Sequence, residues 1–498
     1  MSDSSNAEPS AETSSVSELP KGWCWANFVK IAEASKNALK AGPFGSALKK
    51  EYYVSSGYKI YGQEQVIRED PFYGDYYIDH QKYKSLESCA VKPGDILISL
   101  VGTIGKVLIL PEGIEAGIIN PRLVKLSLEE ILAIPEFIKN YLESSEVRYY
   151  FSSLSHGGTM DILNLTTLKT LPIPLPPLNE QRRVVAKLDS LFARSRRARE
   201  ELERIPKLCD RYKQAILAAA FRGDLTADWR KENNSKPLLE DRTLIDGRLP
   251  DLLNLPNEWV WANVSHVASV TGGLTKNQSR TSLEKKAPYL RVANVYANEL
   301  RLDDIAEIGI ADSEWKRVKL KAGDLLIVEG NGSLEQIGRV ALWHGEIEPC
   351  AHQNHLIKLR VKNIISPKFA LYWLLSPGGR RAIEQVASSS AGLHTLSISK
   401  VSALPIPLCA VQEMEVVVER IEKLFKAIDL MAQEYQKASK LCDRLEQATL
   451  AKAFRGELVP QDPNDEPAAA LLERLQAENS TQTKGKSVKS KQRSGEQS

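Results

Sequence analysis

At 498 residues the chain is too long for one core, and 43% hydrophobic with 26% charged residues is an ordinary composition for soluble protein built of two to four domains. No run approaches the roughly 18 apolar residues that cross a bilayer, and the polar, acidic start (MSDSSNAEPSAETSSVSE) is unlike a secretory signal, so a cytoplasmic protein is expected. The net charge of +3 leaves a nucleic-acid partner open, and six scattered cysteines (Cys24, Cys89, Cys209, Cys350, Cys409, Cys442) with no CxxC pair read as buried, reduced thiols.

In chain order, residues 1–18 read as a disordered tail. Residues 19–177 carry short apolar runs (DILISL at 95–100, KVLIL at 106–110) broken by Gly, Pro and Asn, the pattern of short strands. A helix over 135–151 opens with Pro135, whose missing N–H costs nothing at the first helical position. Residues 178–226 read as one long helix, with Leu188, Leu191, Leu202, Ile205, Tyr212 and Ile216 on a heptad stripe and a kink expected at Pro206. A polar, proline-bearing linker follows at 227–254. Residues 255–410 repeat the strand-like pattern (LLIVE, RVALW) with a helix from Pro367. Residues 411–459 give a second long helix with Ile421, Leu424, Ile428, Met431, Tyr435 and Leu445 on its stripe. Such a rod of about 45 residues is near 65 Å long. In the remainder, 460–498, AAALLERLQAE (468–478) reads as a short amphipathic helix, docked on a partner or left as a solvated end, before a basic disordered tail.

The chain is written twice. LCDRYKQAILAAAFRGDL (208–225) and LCDRLEQATLAKAFRGEL (441–458) are identical at 13 of 18 positions, 233 residues apart. LPIPL, the pairs GDILIS/GDLLIV and IGKV/IGRV, and LPKGWCWAN/LPNEWVWAN continue the correspondence upstream, with small drifts that mark loop insertions. The simplest partner for each rod is the other, antiparallel; pairing with another subunit is the competing arrangement. The fold expected is α+β: two similar mixed α/β domains separated by two long antiparallel helices in a coiled coil, with an internal pseudo-twofold repeat.

Catalytic signatures are missing. GTIGKV (102–107) has the wrong spacing for a phosphate-binding loop and lacks the following Ser or Thr. No N-P-P-[FY] or D-P-P-[FY] string, with which DNA amino-methyltransferases hold a flipped base, is present. Pro250-Asp251 with Glu284-Lys285-Lys286 only loosely mimics a nuclease cluster, and His352 and His355 have no third ligand at zinc spacing. What the loops offer instead is recognition chemistry. Lys36, Lys40, Lys49 and Tyr58 with Gln63 and Gln65 suit phosphates and base edges, as do Lys276, Asn277, Gln278, Arg280, Arg291 and Asn294, and then Asn331, Ser333 and Gln336 in the second copy. The same residues also fill ordinary turns and cover ordinary cores.

With LPKGWCWA, GPFGSALK, GTIGKV, IINPRL (118–123), LNLTTLKTLPIPLPPLNEQ (163–181) and the AFRG[DE]L helix ends in view, the chain resembles the specificity subunits of type I restriction-modification enzymes over about 19–478, most like the type IA branch. The resemblance implies a non-catalytic subunit whose two target-recognition domains each read half of a bipartite, asymmetric site in double-stranded DNA. Its implied partners are two adenine-N6 methyltransferase subunits, which bind S-adenosylmethionine, and motor-nuclease subunits using ATP and Mg²⁺. No cofactor is expected on this chain, and no membrane partner. Lys106 and Arg339 would grip phosphate, and Thr103, Arg122, His156, Thr159, His355 and His394 join the residues assigned to DNA. LPIPLCAVQEME (404–415) departs from LPIPLPPLNEQR, which leaves the start of the second rod open. The rival from another class is a coiled-coil scaffold that positions protein partners without touching DNA.

Overall fold

The structure is a computed structural model that describes residues 18–44, 46–100, 105–154, 164–234, 236, 254–390 and 393–478. It divides into two compact units, one of residues 1–201 and 438–498, the other of residues 202–437. The end of each rod therefore belongs with the domain of the opposite repeat.

In the first unit an antiparallel sheet has the spatial order Leu39–Ala41, Leu123–Leu126, Ile96–Ser99, Val107–Ile109. The central strand Ile96–Ser99 is buried along its whole length because both faces are covered. Ile96 and Ile98 join a core with Phe137, Ile138 and Leu142, while Leu97 joins a second core with Ile60, Tyr61 and Ile118. This is why its sequence is continuously apolar rather than alternating. A second sheet places Tyr58–Tyr61 between Tyr77–Ile78, antiparallel, and Gly117–Ile119, parallel. Cys24–Ala26 pairs with Ile173–Leu175, tying the domain's entry to its exit.

The second unit repeats this topology. Its large sheet runs Ala268–Gly272, Leu356–Val361, Asp324–Val328, Val340–Leu342, and Lys286–Leu290 lies between Ala306–Gly309 and the parallel Ala351–His352. Val260–Asn263 closes on Pro405–Leu408. The second unit also has a hairpin of Val295–Tyr296 with Glu299–Leu300, and a small sheet of Gly330–Asn331, Leu393–Thr395 and Ser388–Ser390.

The repeated AFRG string has a packing reason. Phe454 stands edge-on to Phe137 and Tyr141 at 5.3 and 5.0 Å, and its mate Phe221 meets Phe369 and Trp373 at 5.2 and 5.3 Å. Each rod then turns at a left-handed glycine (Gly223 φ +79°, Gly456 φ +73°) where a Cβ would stand 2.4 Å from Pro256 or Pro20. The prolines of the two LP strings thus press on the glycines that end the rods.

The first rod is broken as Pro206 requires, into Leu178–Leu202 and Ile205–Phe221, whereas the second is continuous over the 44 residues Val411–Phe454. Both start at the same repeat position, so the altered LPIPLCAVQEME sequence does not displace the second helix. The shared feature is a fully buried glutamate. Glu180 accepts from Trp23 Nε1 (3.1 Å), whereas its mate Glu413 accepts from Arg230 (2.5 Å) and Thr226 (2.7 Å).

The rods pair antiparallel within each unit, but on a seam that differs from the expected stripe. Leu188, Ile421 and Ile428 are buried, and Leu191, Leu202, Ile205, Ile216 and Tyr435 are half-buried. Tyr212 (56% exposed), Leu424, Met431 and Leu445 (61%) instead face outward. Their seam positions are taken by the next residue along: Lys213, Phe425, Ala432 and Glu446 are all half-buried. Polar pairs hold this part of the seam. Ser195 donates to Glu446 (2.5 Å), Arg199 reaches Asp443 (2.6 Å) and Glu446 (3.1 Å), and Lys213 reaches Asp429 (2.7 Å). Reading strict heptads from bulky apolar residues therefore misplaces this part of the stripe by one.

The helical residues 468–478 are neither a free end nor left open for a partner. Ala468, Leu471 and Leu472 enter the core of the first unit, Ala468 N donates to Gly22 O (2.9 Å), and Arg183 bonds Asp465 (2.8 Å). The segment at 227–254 begins as a helix, Ala227–Asn233, latched to the second rod by Asp228 and Arg420 at 2.6 Å.

Candidate nucleic-acid interface

In the first unit the end of the central strand, the turn before Leu123 and the helix Gln63–Arg68 meet. Gln63 Nε2 donates to Ser99 Oγ (2.9 Å), Arg122 Nη1 donates to Gln63 Oε1 (3.3 Å), and Arg122 N donates to Asn120 Oδ1 (2.9 Å). Asn120 is the hub. A Cβ on Gly42 would lie 1.9 Å from its carbonyl oxygen, and one on Gly62 would lie 2.8 Å from its side-chain nitrogen. Arg122 is exposed and Gln63 half-exposed, so an amide and a guanidinium share one surface. That pair can present donors and acceptors to base edges.

The second unit builds its cluster at the corresponding place. Glu329 lies just beyond the central strand; its N donates to His355 O (2.9 Å) and its carbonyl accepts from Leu396 N (2.7 Å). Its carboxylate lies 3.0 Å from His355 Nδ1. Asn331 sits opposite His394 in the small sheet. His355 is the repeat mate of Arg122, 233 residues on. Exposed Ser333 and Gln336 belong to the same loop, whose span from Val328 to Arg339 is longer than that from Ser99 to Lys106. Arg339 stacks 5.0 Å over Tyr296, which Arg301 also covers at 3.9 Å.

Other expected residues are placed elsewhere or committed to the fold. Gln65 is buried: Gly62 N donates to its Oε1 (2.9 Å) and its Nε2 donates to Tyr73 O (2.8 Å). Asn294 is the same device in the second unit, accepting from Arg291 N (2.8 Å) and donating to Arg301 O and Asp304 O (2.9 Å each). Neither side chain is available to a base, because each closes a backbone turn that would otherwise be buried unpaired. Arg280 forks onto Glu314 at 2.7 and 2.9 Å and also donates to Thr275 O and Gly309 O, so it braces its loop. In return, that guanidinium holds the Glu314 carboxyl below the usual range. Arg291 is tied to Asp304 at 2.8 Å. Tyr58 stacks on Tyr83 at 3.9 Å and bonds His80 at 3.0 Å, at the far end of the strand from Gln63.

Lys36 and Lys49 are exposed, Lys49 lying 3.5 Å from Glu51, and Lys40 is half-buried on an edge strand. Lys106 is exposed, 4.0 Å from Glu69. Lys276 and Gln278 are exposed, and exposed Asn277 caps its own turn by accepting from Arg280 N (3.2 Å). Thr103, His156 and Thr159 lie outside the described residues, as do Pro250 and Asp251. His352 and His355 do not form a pair: His352 is buried against Val318 O (3.0 Å), with burial pulling its pKa down to about 3, while His355 faces solvent. Ser99, Asn120 and Glu329 were not singled out from the sequence. The repeat register was the available signal, since Ser99 and Val328 end the two matched GD strings.

Known proteins agree with this architecture. The family described as type I restriction modification DNA specificity domain matches residues 44–206 and 256–440. The EcoKI specificity subunit of Escherichia coli K12 is 30% identical over 70% of this chain and 73% of its own length. The StySPI specificity subunit of Salmonella potsdam is 30% identical over 69% of this chain and 72% of its own. Among solved structures, a chain from work on complex assembly and conformational transition of the type I R-M system aligns with TM-score 0.61 at 19% identity, over 89% of this chain and all of that one. The HsdS subunit from Thermoanaerobacter tengcongensis aligns with TM-score 0.52 at 18% identity, over 89% of this chain and 99% of its own. A duplicated domain, a duplicated rod and this match over most of the length lead to one conclusion: the chain belongs to the type I restriction-modification DNA specificity family.

Proposed function

We propose that this chain reads a bipartite, asymmetric target in double-stranded DNA and directs partner subunits that methylate or cleave it. The observation that carries the reading is the pair of clusters at one place in a duplicated frame. The supporting strands, glycines and capping amides correspond, while the outward side chains change from Gln63 and Arg122 to Asn331, His355 and His394. A common frame with different tips suits two different half-sites. Ser333 and Gln336 extend the second base-reading loop. Lys36, Lys40, Lys49, Lys106, Lys276 and Arg339 would supply phosphate contacts, which position the complex without reading sequence.

Catalysis lies with the partners in this reading. Two methyltransferase subunits would bring S-adenosylmethionine and flip the target adenine, and motor-nuclease subunits would bring ATP and Mg²⁺. Two copies are supported by a duplicated apolar surface: Leu208 and Tyr212 on the first rod, and Leu441 and Leu445 at the same repeat positions on the second, are all exposed. The setting would be the cytoplasm; no described helix is long and apolar enough to cross a membrane.

The test is an exchange of residues 19–177 for the matching domain of a relative with a different target. One half of the methylated motif should change and the other should persist. A change in both halves, or in neither, would overturn independent reading.

A further inference from the structure

We infer that Arg301, Tyr296 and Arg339 form a clamp in the second unit that holds one backbone phosphate of the DNA beside the base-reading loop. This rests on the DNA-reading role proposed above and adds Arg301 and Tyr296 to it. The Arg301 guanidinium lies 3.9 Å from the centre of the Tyr296 ring, and that of Arg339 lies 5.0 Å from the same centre. Two positive charges are therefore gathered at one ring. The ring attracts each of them but does not neutralise either.

What separates this pair from ordinary surface arginines is a missing counter-ion. The two units share a turn in which an amide side chain accepts from the backbone N–H three residues before it: Gln65 from Gly62, and Asn294 from Arg291. Four residues on, Glu69 and Asn298 occupy the same left-handed position (φ +53° and +57°). In the first unit that residue is a carboxylate, 4.0 Å from Lys106 and 3.5 Å from Lys139. In the second it is neutral Asn298, whose N donates to Val340 O (2.8 Å), directly beside Arg339. Arg339 has no ion pair among the described residues, and its Nε is buried with no hydrogen-bond partner. Arg301 uses its Nε on Glu299 Oε1 (3.0 Å), which leaves its Nη groups for an anion.

The position of the clamp says which anion. Arg339 ends the loop that carries Asn331, Ser333 and Gln336, and the strand Val340–Leu342 begins at the next residue. Tyr296 belongs to the hairpin Val295–Tyr296 with Glu299–Leu300, and Arg301 follows it directly. The hairpin thus brings a second cation to the end of the reading loop. A phosphodiester is the anion that accompanies exposed base edges. A guanidinium can stack on a ring and fork onto phosphate oxygens together, which an ammonium cannot.

The experiment uses the complete methyltransferase complex carrying the natural chain, Arg301→Gln, Arg339→Gln, Tyr296→Phe or Tyr296→Leu, titrated against cognate and non-cognate duplexes over a range of salt. Arg301→Gln should weaken binding about tenfold on both duplexes. It should also lower the salt slope by about one and leave the methylated motif unchanged. Tyr296→Phe should keep the natural affinity, whereas Tyr296→Leu should lose affinity on both duplexes. A methylphosphonate scan of the cognate duplex then removes the charge of one phosphate at a time. One position should weaken the natural complex by a similar factor and weaken both arginine variants clearly less. Unchanged affinity of Arg301→Gln, a loss on cognate DNA alone, or no phosphate coupled to both arginines would each overturn the clamp while leaving the DNA-reading role intact. So would impaired assembly of the Arg301→Gln complex, the sign of an acidic group on a partner protein instead. A natural complex with no sequence preference at all would overturn the reading on which the clamp rests.

Discussion

The buried carboxylate at the start of the second rod gives a severe test of how the second unit is held together. Glu413 is fully buried, and its Oε1 accepts from Arg230 Nη1 (2.5 Å) and Thr226 Oγ1 (2.7 Å). Arg230 also donates to Gly223 O (2.5 Å), the carbonyl of the glycine that ends the first rod. Arg230→Ala leaves the carboxylate buried with one hydroxyl donor. Stripping one partner from a buried ion pair costs about 3–5 kcal/mol. The Arg230 side chain keeps 11% of its surface exposed, so water can partly replace it and the lower end, about 3 kcal/mol, is expected. For a unit of this size that lowers the melting temperature by roughly 6–12 °C. Adding Glu413→Gln removes the stranded charge at almost constant volume and should restore about 1–3 kcal/mol. Thermal and denaturant unfolding of the full-length chain measure both variants. A loss under about 1 kcal/mol for Arg230→Ala, or a double variant no more stable than the single one, would refute the reasoning.

Three further outcomes are expected. Leu445→Ala and Tyr212→Ala should shift stability by no more than about 0.5 kcal/mol, because both side chains leave the seam, yet weaken co-purification of methyltransferase subunits; a loss of several kcal/mol would place them inside it. Gly42→Ala puts a Cβ 1.9 Å from a backbone oxygen, so it should cost about 1–3 kcal/mol by overpacking and degrade reading of one half-site only; undiminished reading of both would show that the loop yields freely. The Arg420 guanidinium, hydrogen-bonded to Asp228, lowers that carboxyl to about 2. A depressed folded value contributes stability above the ordinary aspartate range, and that stability is lost as pH falls toward about 2. Helix Ala227–Asn233 should therefore lose amide protection on acidification more than the same helix in Arg420→Ala, and identical acid profiles for the two would contradict the latch.

The repeat was legible because packing kept its letters: the Phe–Gly end of each rod must fill an aromatic socket and then turn against a proline. Continuous apolar runs likewise announced strands covered on both faces. Part of the seam was not legible, since reading for bulky apolar residues favours Met431 and Leu445, whereas Arg199, Lys213 and Glu446 hold that part by ion pairs. The site was legible by position rather than by residue. Gln63 and Gln65 look alike in sequence, yet one faces outward beside Arg122 and the other ties Gly62 to Tyr73. Two residues apart on the helix Gln63–Arg68, they point to different faces, which the letters alone do not show. The same holds for Asn294 and Arg280, whose hydrogen-bonding groups serve backbone turns and a glutamate as readily as a base.

The most direct measurement is methylome sequencing of cells that make this chain with its neighbouring methyltransferase, compared with cells lacking the chain. A bipartite methyladenine motif with unlike halves, present only when the chain is made, is the result expected of a two-tipped reader. An assembled and active methyltransferase that produces no such motif would contradict sequence reading and favour a scaffold that only holds protein partners.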